Sequence, residues 1–301
     1  MLVFAGSTAM AQSPVSLPRA DGSEITYYVK QAASQPAKQL LVIMQGSDCN
    51  SVRNNPRIQE MFVPMLPNAD VLTVEKYGVD ASLAWNPEDY RTDCPIPTML
   101  YDSLSQRVQD YSAVLKALQK QHGYAHVVVM GGEEGAITAV MLAAESDIVE
   151  ASIAFNGGGR WFRDDVVYSE VSQLPADLNP DYVKGIHEQL DFLAGNSPPH
   201  AIVGVHGMKW WKEKLAHDQQ AAVMKVDTPL LVIQAEQDTS VSPIAVQQMV
   251  NEVRAAGRTN VHYKTYPDLD HVFEDAQGEN HMGTVINDMK TWLLEAVPPQ
   301  S

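Results

Sequence analysis

The chain predicts an α/β fold: a mostly parallel central sheet, helices on both faces, and a helical cap inserted over the strand ends. Three observations carry this. Short apolar runs alternate with longer stretches of helical periodicity, the pattern of repeated βα units. The strongest runs, such as 39–45 and 126–130, are almost continuously apolar, as expected of strands covered on both faces. The alternation breaks down once, between Gly159 and Val226, where aromatic and charged residues mix without strand periodicity.

In order, residues 24–30 read as an early strand, 39–45 as a buried strand ending at Gly46, and 71–75 as another. A long amphipathic helix is expected over 104–122, with Val108, Tyr111, Val114, Leu115 and Leu118 on one face. Strand 126–130, helix 134–145 and strand 151–155 follow, the last closing on Gly157-Gly158-Gly159. Residues 230–234 and 261–266 are the final strands, each followed by helical sequence, 243–256 and 282–296. The domain plan is thus a core of residues 12–159 and 226–301 with a cap of residues 160–225. Trp161, Trp210 and Trp211 in the cap either anchor it to the core or line an apolar pocket, and the two roles are compatible.

With 301 residues, the chain has enough length for one large α/β domain with an insertion, or for two small domains. Its net charge of −16, with no basic run, disfavours nucleic acid and anionic membrane surfaces as partners. A small-molecule substrate or ligand is expected instead; oligomeric state is not readable. Residues 1–11 resemble the end of an export signal, an apolar stretch closing on Ala9-Met10-Ala11, although no basic segment opens it. A periplasmic or secreted protein is therefore expected. In that setting Cys49 and Cys94 would form one disulfide; in a cytosolic protein they would be free thiols. No stretch beyond the N-terminus has the length for membrane insertion. The histidines are scattered without metal-ligand spacing, and neither a metal nor a cofactor is expected.

The most informative segment is Gly131-Gly132-Glu133-Glu134-Gly135, where a buried strand turns sharply into a helix with Glu133 at the apex. A side chain at either flanking glycine would collide as strand and helix close on each other. The spacing is that of the G-x-S-x-G nucleophile elbow, with glutamate in the serine position. Such an elbow calls for an acid and then a histidine further along. Asp238, in the loop after strand 230–234, is the candidate acid, with Glu236 as its rival. His271 is the candidate base, in the loop before the last helix; His281 lies nearer that helix, and His206 falls in the cap. Backbone N–H groups near Gly46 or Ser47, together with that of Glu134, would form an oxyanion site.

These residues, in this order, resemble the α/β-hydrolase-fold family from about Glu24 onward, most nearly its exported serine hydrolases. In that subgroup position 133 would be the nucleophilic serine, and Glu133 departs from it; Asp48 is a second departure, in a loop where small residues are common. The resemblance implies an ester or amide hydrolase lineage acting on, or binding, a small apolar molecule.

A carboxylate attacking an ester would form an anhydride while expelling a far more basic alkoxide, so serine-type esterase chemistry is not expected of the chain as it stands. Three readings follow. The scaffold has lost its serine and retains ligand binding; or Glu133 acts as nucleophile or general base, as aspartate does in the similar haloalkane dehalogenases and epoxide hydrolases; or the protein is a non-catalytic binding or scaffolding protein. Glutamate is one methylene longer than aspartate and would reach His271, placing its imidazolium between two carboxylates and raising its pKa.

Overall fold

A computed structural model describes residues 13–88, 91–172, 174, 180–195 and 197–297; the expected signal remnant, residues 1–11, lies outside them. The elements run β1 (Val15–Pro18), β2 (Glu24–Lys30), β3 (Gln39–Met44), a π-helical turn (Arg57–Phe62), β4 (Asp70–Val74), α1 (Ile96–Tyr101), α2 (Leu104–His122), β5 (His126–Gly132), α3 (Glu134–Glu145) and β6 (Ala151–Phe155). After β6 come α4 (Phe162–Ser172), α5 (Pro180–Ala194), a small hairpin of β7 (Ile202–Val203) and β8 (His206–Gly207), α6 (Met208–Ala216) and α7 (Gln219–Val223). The chain then returns through β9 (Leu230–Ala235), α8 (Pro243–Ala255), β10 (Val261–Tyr266) and α9 (Met282–Ala296).

Eight strands form one sheet in the order β1-β2-β4-β3-β5-β6-β9-β10. The β1-β2 and β2-β4 pairs are antiparallel, and all others are parallel. The expected mostly parallel sheet is therefore present, with two differences. β1 is an additional edge strand, only four residues long and held by its pairing with β2. The segment between β6 and β9 is helical as expected but also carries the two-stranded hairpin.

Apolar side chains alternate across β3, β5 and β6, so each strand feeds two cores. One lies under α2, α3 and α8, with Leu40, Val42, Tyr111, Leu115, Val129 and Val140 buried together. The other lies under the π-helical turn and α9, around Leu41, Ile43, Met130, Ile153, Phe273 and Met289. All five residues assigned to the apolar face of α2 are buried. That helix starts where the Ser103 side chain accepts a bond from the Gln106 N–H and stops at Gly123, whose φ of 64° suits glycine.

Cys49 and Cys94 form a disulfide between the loop after β3 and the segment leading into α1. It closes a long loop, the cysteines being 45 residues apart, and most of its effect falls on the unfolded chain. Replacing both by serine is expected to lower stability by about 2–4 kcal/mol, seen as a lower guanidinium midpoint with the same far-UV spectrum. No helix among the described residues is long and apolar enough to cross a membrane.

Candidate functional site

In a parallel sheet, the loops that leave the carboxyl ends of neighbouring strands gather along one edge. Here that edge collects the turns after β3, β5, β6, β9 and β10, and with them every residue singled out at the elbow, acid and histidine positions.

The turn from β5 into α3 is as tight as its glycines imply. Glu133 sits at φ 54° and ψ −123°, outside the regions ordinary side chains favour. A Cβ on Gly131 would run into the Gly135 carbonyl, and one on Gly135 into the Met44 carbonyl. The sharp apex thus follows from close approach of strand, helix and the neighbouring β3.

The Glu133 side chain does not bond the histidine. Its Oε2 accepts the backbone N–H of Ser47, and a Cβ on Gly46 would lie only 2.5 Å from that same oxygen. The expected loop donor and the apex residue are therefore in direct contact. The side chain of Glu134, the residue after the apex, turns away from this contact and is fully buried.

Asp238 and His271 meet at a second point of the same edge. Asp238 Oδ2 lies 2.7 Å from His271 Nδ1. Its Oδ1 accepts the N–H groups of Ser240 (2.8 Å) and Val241 (2.9 Å), which hold the carboxylate still. Glu236 is exposed on the same loop, and His281 instead pairs with Asp275 at 2.9 Å. Burial pulls the His271 imidazole down, but the hydrogen bond and charge of Asp238, with Glu133 and Asp270 adding, carry its pKa above the usual value. A raised value means that this ring contributes stability below the ordinary pKa of 6.5 and loses that contribution as pH climbs through the folded-state value. Because Glu133 is one of the causes, Glu133→Gln is expected to lower the His271 pKa, as followed by NMR titration of its ring protons.

Several residues that the motifs do not reveal complete the arrangement. Asn156, at φ 47°, donates its Nδ2 to the His271 carbonyl (2.8 Å) and accepts the Ala235 N–H (2.9 Å), joining the ends of β6 and β9 to the histidine loop. Tyr168 of α4 donates its hydroxyl to the Asp238 carbonyl at 2.8 Å. Asp48 accepts from the side chains of Gln45 and Asn50, each at 2.8 Å, and so shapes the loop that carries Ser47.

The least expected feature is the hub around Glu134. Arg107 donates to its Oε1 at 2.8 Å and also to the Gln45 carbonyl. Trp210 donates its indole N–H to Oε2 at 2.5 Å, and the Lys214 ammonium stands 3.6 Å from that oxygen. Burial alone would raise the Glu134 pKa, but Lys214, Arg107, Lys76 and His206 overcome it and hold the carboxylate well below its usual range. His206 stacks on Trp210 at 3.8 Å, and burial pushes its pKa down to about 4.

A cavity of about 30 Å³ opens beside Glu133, with Phe162, Asp165, Lys214, His217 and Arg160 in its walls. None of the three cap tryptophans lines it. Trp210 is committed to Glu134, Trp211 donates to the Val203 carbonyl at 3.2 Å while packing on Trp210, and Trp161 is partly exposed under Arg160. The chamber next to the apex is thus more charged than the aromatic content of the cap suggests. Among the described residues, one group has metal-ligand spacing, Asp275, Glu279 and His281. There Asp275 already accepts the N–H groups of Gln277 and Glu279.

Comparison with solved structures finds the same fold in several proteins described as esterases or hydrolases. Est1E from Butyrivibrio proteoclasticus, solved with ferulic acid bound, superposes with a TM-score of 0.63 at 17% identity, over 93% of this chain and 98% of that one. An esterase from Pyrococcus furiosus gives 0.62 at 14% identity, over 95% and 91%. A hydrolase from Pseudomonas aeruginosa gives 0.56 at 18% identity, over 98% and 100%. At these identities the likeness is one of fold, the α/β-hydrolase fold. No relative is found among curated proteins. Residues 114–275, just over half of the chain and spanning the elbow, Asp238 and His271, match the family model described as BAAT / Acyl-CoA thioester hydrolase C terminal. The chain belongs to that family.

Proposed function

We propose that this protein is an acyl-hydrolase scaffold that retains a ligand site but has lost serine-type turnover, because the side chain at the nucleophile position occupies its own oxyanion site. The observation that carries this reading is the bond from the Ser47 N–H to Glu133 Oε2. In acyl transfer that N–H would stabilise the oxygen of the tetrahedral intermediate. Glutamate is also a close steric analogue of an acylated serine: Cβ, one further atom, then a carboxyl carbon bearing two substituents. Glu133 therefore resembles a covalent intermediate that water cannot cleave, since its Cβ–Cγ–Cδ linkage is all carbon.

On this reading Asp238 and His271 would serve as acid and base, and the Ser47 N–H, once released by Glu133, would form the oxyanion site with the N–H of Glu134. The contact engages only Oε2, so the carboxylate-nucleophile reading is separated from this one by turnover and not by this bond. The Cys49–Cys94 disulfide supports an exported protein, in keeping with the signal-like start. The test is a fluorophosphonate probe, which reports a serine activated by histidine. It is expected to leave the unmodified chain unlabelled and to label Glu133→Ser at position 133. Rapid ester turnover by the unmodified chain, lost in Glu133→Gln, would overturn the proposal in favour of an active carboxylate.

A further inference from the structure

The cavity beside residue 133 is unusual in carrying a buried ammonium. Lys214 is 3% exposed on its side chain, yet its partners leave donors to spare. Its Nζ stands 3.6 Å from Glu134 Oε2, which Trp210 already engages at 2.5 Å, and otherwise lies against the rings of Phe162 (4.6 Å) and Trp210 (5.4 Å). An ammonium has three donors, and aromatic faces accept none of them as a carboxylate would. Phe162 and Lys214 both line the cavity. Arg160 stands at its rim, paired with Asp218 at 2.7 Å. The one other carboxylate in the walls besides Glu133 is Asp165, whose Oδ2 accepts the Gly159 N–H (3.1 Å) and Oδ1 the Ser242 N–H (2.9 Å), and whose charge Lys214 also feels. His217, also in the wall, is bonded through Nε2 to Gln219 at 2.8 Å.

Further buried cations lie beneath the apex, each facing a carboxylate. Lys76, Arg107 and Lys214 are buried around Glu134 and Asp102, and burial raises the Asp102 pKa to about 6.

Resting on the reading of the site as an acyl-hydrolase scaffold, we propose that this cavity is a subsite for a short acyl chain ending in a carboxylate, with Lys214 as its specificity-determining residue. The anion would take the ammonium donors that Glu134 leaves unused. Glu133 fills part of the space, and the remaining 30 Å³ holds about one water, so shortening residue 133 is what admits such a chain.

The test uses Glu133→Ser and two esters with the same leaving group, p-nitrophenyl butyrate and mono-p-nitrophenyl succinate. The succinate ester is expected to be preferred in kcat/KM by at least about tenfold. That preference should collapse towards unity in Glu133→Ser/Glu134→Gln/Lys214→Gln, where acid and ammonium are neutralised together. Binding is read separately from turnover: succinate should raise the melting temperature of Glu133→Ser, and butyrate should not. If Glu133→Ser hydrolyses both esters equally and succinate leaves its melting temperature unchanged, the anionic subsite is wrong while the scaffold reading stands. If it hydrolyses neither ester but is still stabilised by succinate, the subsite stands and the scaffold reading fails.

Discussion

Glu133→Ser is expected to hydrolyse p-nitrophenyl acetate at least about 10³-fold faster than the unmodified chain. Two changes act together. The carboxylate that holds the Ser47 N–H is removed, freeing a donor for the developing oxyanion, and a hydroxyl takes its place at the apex, where φ of 54° presents it outward. His271, oriented through Nδ1 by Asp238 at 2.7 Å, then takes the serine proton on Nε2 as the oxygen attacks the ester carbon. It returns that proton to the departing phenolate, and water repeats the sequence to release the acid. Glu133→Ala separates the two contributions: it clears the oxyanion site without supplying a nucleophile and should stay near background. Adding His271→Ala to Glu133→Ser should return the rate to that level. Steady-state kinetics on the four proteins decides the matter.

The largest loss of stability is expected from Glu134→Ala, about 3–5 kcal/mol. Its carboxylate is fully buried and answers Arg107, Trp210 and Lys214 together. Truncation leaves two buried cations and an indole N–H without that partner, and water has little room to replace it. Glu134→Gln keeps acceptors for some of these donors and should cost less. Arg107→Met should also destabilise strongly, but its effect and that of Glu134→Ala should not add, since both remove the same interaction. Urea denaturation of the single and double variants gives the coupling directly.

Much of this architecture was legible because it rests on local pattern. The βα alternation sets the sheet, and Gly131 and Gly135 announce the turn because no side chain fits there. Asp238 and His271 could be paired, though 33 residues apart, because a parallel sheet brings its post-strand loops to one edge. The direction taken by the Glu133 side chain was not legible. Its added length suggested reach to His271, whereas the nearby Ser47 amide offers a donor already aimed at the apex. The Glu134 hub was hidden for another reason: its partners Arg107 and Trp210 lie 27 and 76 residues away, with no shared period. The available signal was a charge in the wrong place, since Arg107 adjoins Val108 on the buried side of α2 and Glu134 opens a helix that is apolar over most of its length. β1 escaped because Val15–Pro18 is short and owes its conformation to β2.

Arg107 grips the Gln45 carbonyl with one arm of its guanidinium and Glu134 with the other. It therefore braces the end of β3 against the start of α3 from a helix behind the sheet, without touching residue 133. This strut ties the two segments that meet at the tip to each other, independently of whatever side chain the tip displays. Reactivity and framework are wired separately here, so a single codon can rewrite the former and leave the latter in register.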